Sequence, residues 1–324
     1  ETFNKYPHLL SNKGKILITY QELIQKKEYL KEIILFIGKI DHNIGLILLY
    51  KNHLNTKNKF CFPKLLENKI PVFKSDKLWH PYLNPNTSVS NNLNLGDNYN
   101  NNAIITGPNA GGKSTFIKSI ALSILLGQTI GMSNCSNLQF TPFKNIETYL
   151  NIPDLKGKES LFEAEINRAY KYINTIQTLN SNEFSLIIMD EIFNSTNPEE
   201  GIAGAYSICK KLSNFKNNIS IITTHFNYLT KLEKKTGNFT NYKIIVKKNE
   251  KENKIIYPYT LIKGISNQFI ALQLLKEKGF DAEIISDAIK ICKVLKKNKR
   301  NKNKKNENIN ENINENINEN INEN

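Results

Sequence analysis

The stretch Ala103-Ile104-Ile105-Thr106-Gly107-Pro108-Asn109-Ala110-Gly111-Gly112-Lys113-Ser114-Thr115 decides the fold. A short apolar run, the pattern of a strand, leads into Gly-x-x-x-x-Gly-Lys-Ser, and a helical apolar pattern follows over about 113–127. Strand, glycine loop and helix in this order hold a phosphate chain. The glycines let the backbone wrap closely. Several N–H groups then converge on the anion at a helix start carrying roughly half a positive charge. Lys113 is placed to reach the β- and γ-phosphates, and Ser114 to ligate Mg²⁺.

Two further strands complete the pattern. Leu186-Ile187-Ile188-Met189 is a continuous apolar run, as in a strand buried on both faces, and it ends in Asp190-Glu191. In open α/β sheets ligands collect at the carboxyl ends of strands. Asp190 suits Mg²⁺, and Glu191 suits the orientation and deprotonation of an attacking water. Ile219-Ser220-Ile221-Ile222-Thr223-Thr224 is a third such run, and it delivers His225, a candidate contact for the γ-phosphate or the water.

With these residues the chain resembles the MutS family of DNA mismatch-repair ATPases, itself similar in architecture to ABC-type ATPases. Three matches carry the resemblance: Thr106 to Thr115, Asp190-Glu191-Ile192 through Thr196 to Gly201, and Thr224-His225-Phe226. Leu78-Trp79-His80-Pro81 resembles the family's entry to the ATPase domain, and Val89 to Leu95 its adenine-bordering segment. Asp154-Leu155 through Ser160-Leu161-Phe162 and Glu165 resembles its serine-containing signature. The resemblance implies a P-loop NTPase of ABC type that binds ATP and Mg²⁺ and hydrolyses ATP in sites shared across a homo- or heterodimer, coupled to clamping of mismatched or otherwise distorted DNA. Gly107, Pro108, Asn109, Ala110, Gly111, Gly112, Lys113, Ser114 and Thr115 would bind the nucleotide, with Val89 and Asn91 beside the base. Ser114 and Asp190 would hold the metal. Glu191, His225 and Lys113 would do the catalytic work. Ser160, Ser195 and Thr196 would reach the nucleotide of the partner subunit.

The chain also departs from the family. Phe193-Asn194-Ser195-Thr196 stands where mismatch-repair members usually read Gly-Arg-Gly-Thr, and Ser88 stands where an aromatic often stacks on adenine. The ending Asn197-Pro198-Glu199-Glu200-Gly201 leans toward divergent branches, including those of large DNA viruses. An ATPase acting on recombination intermediates or ribosomes, and a non-hydrolysing nucleotide-dependent interaction module, stay open as alternatives. Nothing before residue 80 resembles the family's mismatch-reading wedge.

Alternation of strand and helix argues for an α/β fold with a mainly parallel sheet. The expected organisation is a helical lever or clamp remnant over 1–75, an ATPase domain over 76–262, a helix-turn-helix dimerisation element over 263–295, and a basic, then Asn/Glu/Ile-repeat, disordered tail over 296–324. Residues 17–56 show helical apolar spacing, which also fits a helical hairpin packed beside the sheet. Tyr242–Val246 and Ile255–Leu261 read as a β-hairpin. In the tail, one isolated isoleucine per four-residue repeat cannot offset the entropy of ordering.

The formal charge is +14, and seven basic residues between Lys296 and Lys305 contribute half as many charges. Such a run can follow a phosphate backbone, but it also fits a solvated tail. No unbroken run of about 18 apolar residues occurs, so no membrane partner is expected. Cys61, Cys135, Cys209 and Cys292 are scattered and form no Cys-x-x-Cys, which predicts reduced thiols and no metal beyond Mg²⁺. An intracellular setting follows, whether cytoplasm, nucleus or viral factory. The chain begins with Glu1, as a fragment would.

Overall fold

The computed structural model describes residues 11–150, 160–249, 254–266 and 271–294. The predicted tail over 296–324 and the Asp154–Glu159 part of the signature lie outside the described residues.

Helix α1 (Asn12–Gln25) starts where the Ser11 side chain accepts the Gly14 N–H at 3.1 Å. It breaks at Lys26 and α2 (Lys27–His53) follows. These helices are not packed beside the sheet: α2 has no buried residue, and Ile33, Ile34, Phe36 and Ile47 are more than half exposed. Only its foot engages, where Leu46 and Leu49 meet Phe60, Trp79 and Met132. Among the described residues, α2 is the one helix long and apolar enough to cross a membrane, with mean hydropathy 1.6. The expectation from unbroken runs differs because Lys39 and Asp41, the only Asp, Glu, Lys or Arg between Ile33 and Tyr50, interrupt the run without lowering its average much.

Two sheets then enclose a helix. Strands β1 (Lys64–Leu65), β2 (Val72–Leu78), β3 (Asn91–Gly96) and β5 (Asn137–Phe140) form a sheet of order β1-β5-β2-β3. The larger sheet comprises β4 (Asn102–Thr106), β6 (Phe143–Tyr149), β7 (Phe184–Asp190), β8 (Asn218–Thr224), β9 (Phe239–Ile244) and β12 (Leu261–Lys263), in the order β12-β9-β4-β8-β7-β6. All its pairings are parallel except β12 with β9. Helix α3 (Lys113–Thr129) lies between the sheets. Its Phe116, Ile117, Ile120 and Ile124 share a core with Phe73, Leu95 and Phe140 of one sheet and Ile105 and Ile188 of the other. Neighbours along the same strands point the opposite way, as strand geometry requires. Ile104, Ile187 and Ile222 pack with Tyr172 and Ile176 of α4 (Leu161–Gln177) and Cys209 and Leu212 of α5 (Pro198–Leu212). Burying one such isoleucine stabilises by about 1.5–3 kcal/mol. A sheet buried on both faces explains why its strands read as unbroken apolar runs.

The predicted hairpin divides in two. β10 (Lys247–Asn249) pairs with β11 (Lys254–Ile256), whereas β9 pairs with β12. The interruption falls at Tyr257–Thr260, where Tyr259 has φ +54°. After the short α6 (Leu232–Thr236) and these strands, α7 (Ala271–Glu277) ends at Gly279, whose φ of +77° suits glycine, and a second helical stretch covers 282–294. The cysteines are free, but two that are far apart in sequence meet, with Cys61 Sγ 3.5 Å from Cys135 Sγ.

Candidate functional site

Strands β4, β8 and β7 are adjacent and parallel, so their carboxyl ends open on one edge of the sheet. β4 delivers the glycine loop, β7 delivers Asp190 and Glu191, and β8 delivers His225. Three segments spread over more than 100 residues of sequence are thereby gathered by strand register.

In the loop, Gly112 has φ +93°, and a Cβ there would lie 2.9 Å from Tyr259 Cδ1, so both conformation and space demand glycine. Gly111 is equally confined, since its Cβ would fall 2.9 Å from the Pro108 carbonyl oxygen. Lys113 is only 4% exposed, and its Nζ is 3.0 Å from Gly107 O, 3.2 Å from Pro108 O and 3.4 Å from Asn109 Oδ1. Its remaining charge partner is Glu191, with Oε1 at 3.4 Å.

The acidic pair is braced from β8. Thr223 Oγ1 donates to Asp190 Oδ1 and accepts the Glu191 N–H at 3.2 Å. The same N–H lies 3.0 Å from Thr223 O. Glu191 adopts φ +53° and Phe193 φ +57°, left-handed conformations that non-glycine residues hold only when their surroundings impose them. Phe193 is pinned edge-on to Phe162 at 5.6 Å, and Gly201 passes so close that a Cβ would lie 2.5 Å from Phe193 O. The exposed His225 ring packs on Phe226 at 4.4 Å. Partial burial depresses its pKa below the usual imidazole value; the Glu191 charge opposes this and the Lys113 charge adds to it.

A cleft of ≈ 880 Å³ runs over this edge. Val89, Asn91, Asn109, Ala110, Gly112, Lys113, Ser114, Thr115, Asp190, Glu191 and Ser195 line it. Gly107, Pro108 and Gly111 build the loop turn itself. Ser160, Thr196 and His225 are not among its lining residues. Ser160 instead caps α4, accepting the Glu163 N–H at 3.2 Å, and is exposed.

Two further residues enter the site. Tyr259 lines the cleft against the loop glycine and stacks on Tyr257 with centroids 6.0 Å apart. Asn91 holds it there: its Nδ2 donates to Tyr259 O at 3.0 Å, and its Oδ1 accepts the Leu261 N–H at 2.7 Å. The amide of Asn91 is therefore spent on backbone, and of the aromatic residues Phe116, Tyr149 and Tyr259 that line the cleft, Tyr259 is the exposed one. Ser88 is buried, held by Asn58 Nδ2 at 2.9 Å. The second residue is Glu165, which also lines the cleft.

A family profile described as MutS domain V matches residues 103–296. The chain is 29% identical over 274 residues to the DNA mismatch repair protein MutS of Clostridium tetani, covering 82% of this chain and 30% of that protein. It is 28% identical to MutS of Fusobacterium nucleatum, covering 90% of this chain and 32% of the relative. To the DNA mismatch repair protein MSH3 of Debaryomyces hansenii it is 30% identical, over 78% of this chain and 26% of the relative. The chain thus spans about a third of the length of these relatives. With the profile covering more than half of its residues, the chain belongs to the MutS family of DNA mismatch repair proteins.

Proposed function

We propose that this chain is the nucleotide-driven part of a MutS-like machine, hydrolysing ATP with Mg²⁺ in sites shared by two subunits and coupling that cycle to DNA. The observation that carries this reading is the meeting of Lys113 and Glu191 at 3.4 Å in one cleft, from two different strands. A buried ammonium in a ring of loop oxygens is placed to bind phosphate oxygens. Glu191 Oε1 and Oε2 are placed to orient a water and take its proton. His225, neutral at pH 7 because burial disfavours its cation, would contact the γ-phosphate or that water. Tyr259 would offer its ring face to the base in place of the aromatic absent at Ser88.

The site also fits Mg²⁺. Ser114 and Asp190 share the cleft. That suits an ion held by one or two protein groups with phosphates and water. Bound with the nucleotide, Mg²⁺ neutralises charge on the phosphate oxygens.

Ser160, Ser195 and Thr196 are proposed to complete the partner's site, with the helices after residue 264 bracing the dimer. DNA, mismatched or otherwise distorted, is the proposed partner, consistent with the names of the relatives. The test is steady-state ATPase of the chain across protein concentration, with and without homoduplex and mismatched duplex. Turnover per subunit that rises with concentration and responds to DNA supports the reading. ATP binding with no turnover under any condition would leave the non-hydrolysing module as the better account.

A further inference from the structure

Glu165 is a carboxylate buried to 5% exposure, and no lysine or arginine pairs with it among the described residues. It lies little more than one helical turn beyond Ser160 on α4. Ser195 Oγ donates to Glu165 Oε2 at 2.6 Å. Tyr149, at the carboxyl end of β6, lies near enough to feel the charge of the same carboxylate, and its phenol oxygen accepts the Phe193 N–H at 3.4 Å. One buried carboxylate thus receives a hydroxyl from the loop after Glu191, beside a strand residue that itself holds that loop.

The loop needs such holds. Glu191 and Phe193 are both left-handed without being glycine, and Asn194 Nδ2 reaches back to Glu191 Oε2 at 3.2 Å. Phe162, also on α4, presses on Phe193. Filling space alone would not call for a charged group, because burying an unpaired carboxylate is costly. A short, charge-assisted bond from the Ser195 hydroxyl offsets part of that cost. A glutamine offers Ser195 only a neutral oxygen, a weaker acceptor than a carboxylate.

We propose that Glu165 is a positioning residue: through its bond to Ser195 it sets the loop that carries Glu191 and ties that loop to the helix headed by Ser160. A change at Ser160 on engaging a partner subunit is thereby transmitted to the carboxylate facing Lys113 in the same chain. The inference rests on the ATPase reading for its kinetic consequence, but the tie between helix and loop has its own readout.

The experiment compares Glu165→Gln, Tyr149→Phe and Ser195→Ala in the full chain, with the double variant Glu165→Gln/Ser195→Ala. Three quantities are measured: kcat and KM for ATP, the Kd of a fluorescent ATP analogue, and hydrogen–deuterium exchange of peptides spanning 190–197. Glu165→Gln is expected to lower kcat at least tenfold with Kd changed less than twofold, and to speed exchange in the loop. The double variant is expected to be no slower than Glu165→Gln alone, since both act through one bond. Ser195→Ala breaks the same bond from the loop side and is the fallback should Glu165→Gln fold poorly; it too is expected to speed loop exchange, as is Tyr149→Phe, which deletes the acceptor of the Phe193 N–H. Unchanged exchange in both Glu165→Gln and Ser195→Ala overturns the inference. So does a Glu165→Gln defect that lies in Kd rather than kcat. If the wild-type chain binds ATP without turnover, the ATPase reading fails, and exchange alone decides whether Glu165 holds the loop.

Discussion

Lys113 Nζ and Glu191 Oε1 lie 3.4 Å apart, although 78 positions separate them and they arrive from the loop after β4 and the end of β7. β8 sits between those strands, so the two side chains converge across it, beyond the strand ends. One charge is placed to bind, the other to act on water, and their contact lets the two roles be separated by mutation.

Lys113→Ala is expected to weaken nucleotide binding and turnover together, because the ammonium is buried with nothing else of its charge in the loop. Glu191→Ala is expected to keep binding within a few-fold while lowering kcat by about 10²–10⁴-fold, the usual worth of a general base. Equilibrium binding of a fluorescent ATP analogue beside steady-state turnover checks both. Full turnover in Glu191→Ala would remove Glu191 from the chemistry.

Thr223 is fully buried and serves both carboxylate-bearing residues, donating to Asp190 and accepting the Glu191 N–H. Thr223→Val keeps the shape and deletes both bonds. Leaving the Asp190 oxygen without its donor costs about 1–3 kcal/mol. The expected phenotype is a lower Tm and a higher Mg²⁺ concentration for half-maximal ATPase, read by titrating Mg²⁺ at saturating ATP. An unchanged Mg²⁺ requirement would show that Asp190 needs no brace.

Much of this site was legible in the sequence because each part carries its own local constraint. The glycine loop must be glycine where φ is +93°, and buried parallel strands favour apolar and β-branched residues, at whose carboxyl ends Asp190, Glu191 and His225 stand. Tyr259 was not legible, because its place depends on a left-handed residue interrupting an expected strand and on Asn91, 168 positions away, clamping its backbone. Glu165 was legible as part of a signature but not as a link, since its partner Ser195 comes from the loop after β7. The exposure of α2 could not be read at all: helical spacing of apolar residues states that a face exists, not what covers it.

Tyr259 supplies the aromatic surface in the cleft, so Tyr259→Ala is expected to weaken ATP binding by about 1–3 kcal/mol, the range measured for base–aromatic stacking. Affinity for inorganic tripolyphosphate, which has no base, should stay near wild type. Isothermal titration with both ligands distinguishes the cases. An equal loss for both would mean that Tyr259 acts through Gly112 and the loop rather than through the base.

His225 gives the site a pH dependence with a definite sign. Burial holds its pKa below the usual value near 6.5, so the ring is neutral at pH 7 and gains its proton only on the acid side. Activity that uses the neutral ring should be level at and above pH 7 and fall with a midpoint below 6.5. Stability follows the same direction: the unfolded chain takes up the proton first, so the folded state loses ground as pH drops from 6.5 through the folded-state pKa. His80 also lines the cleft and is also depressed, by burial first and then by Lys118, so it is the necessary control. In a pH–kcat profile, His225→Asn is expected to flatten the acid limb at a lower plateau, whereas His80→Asn should leave the limb in place. A limb that survives in His225→Asn and vanishes in His80→Asn would move the titrating role to the entry of the domain and leave His225 as a packing residue on Phe226.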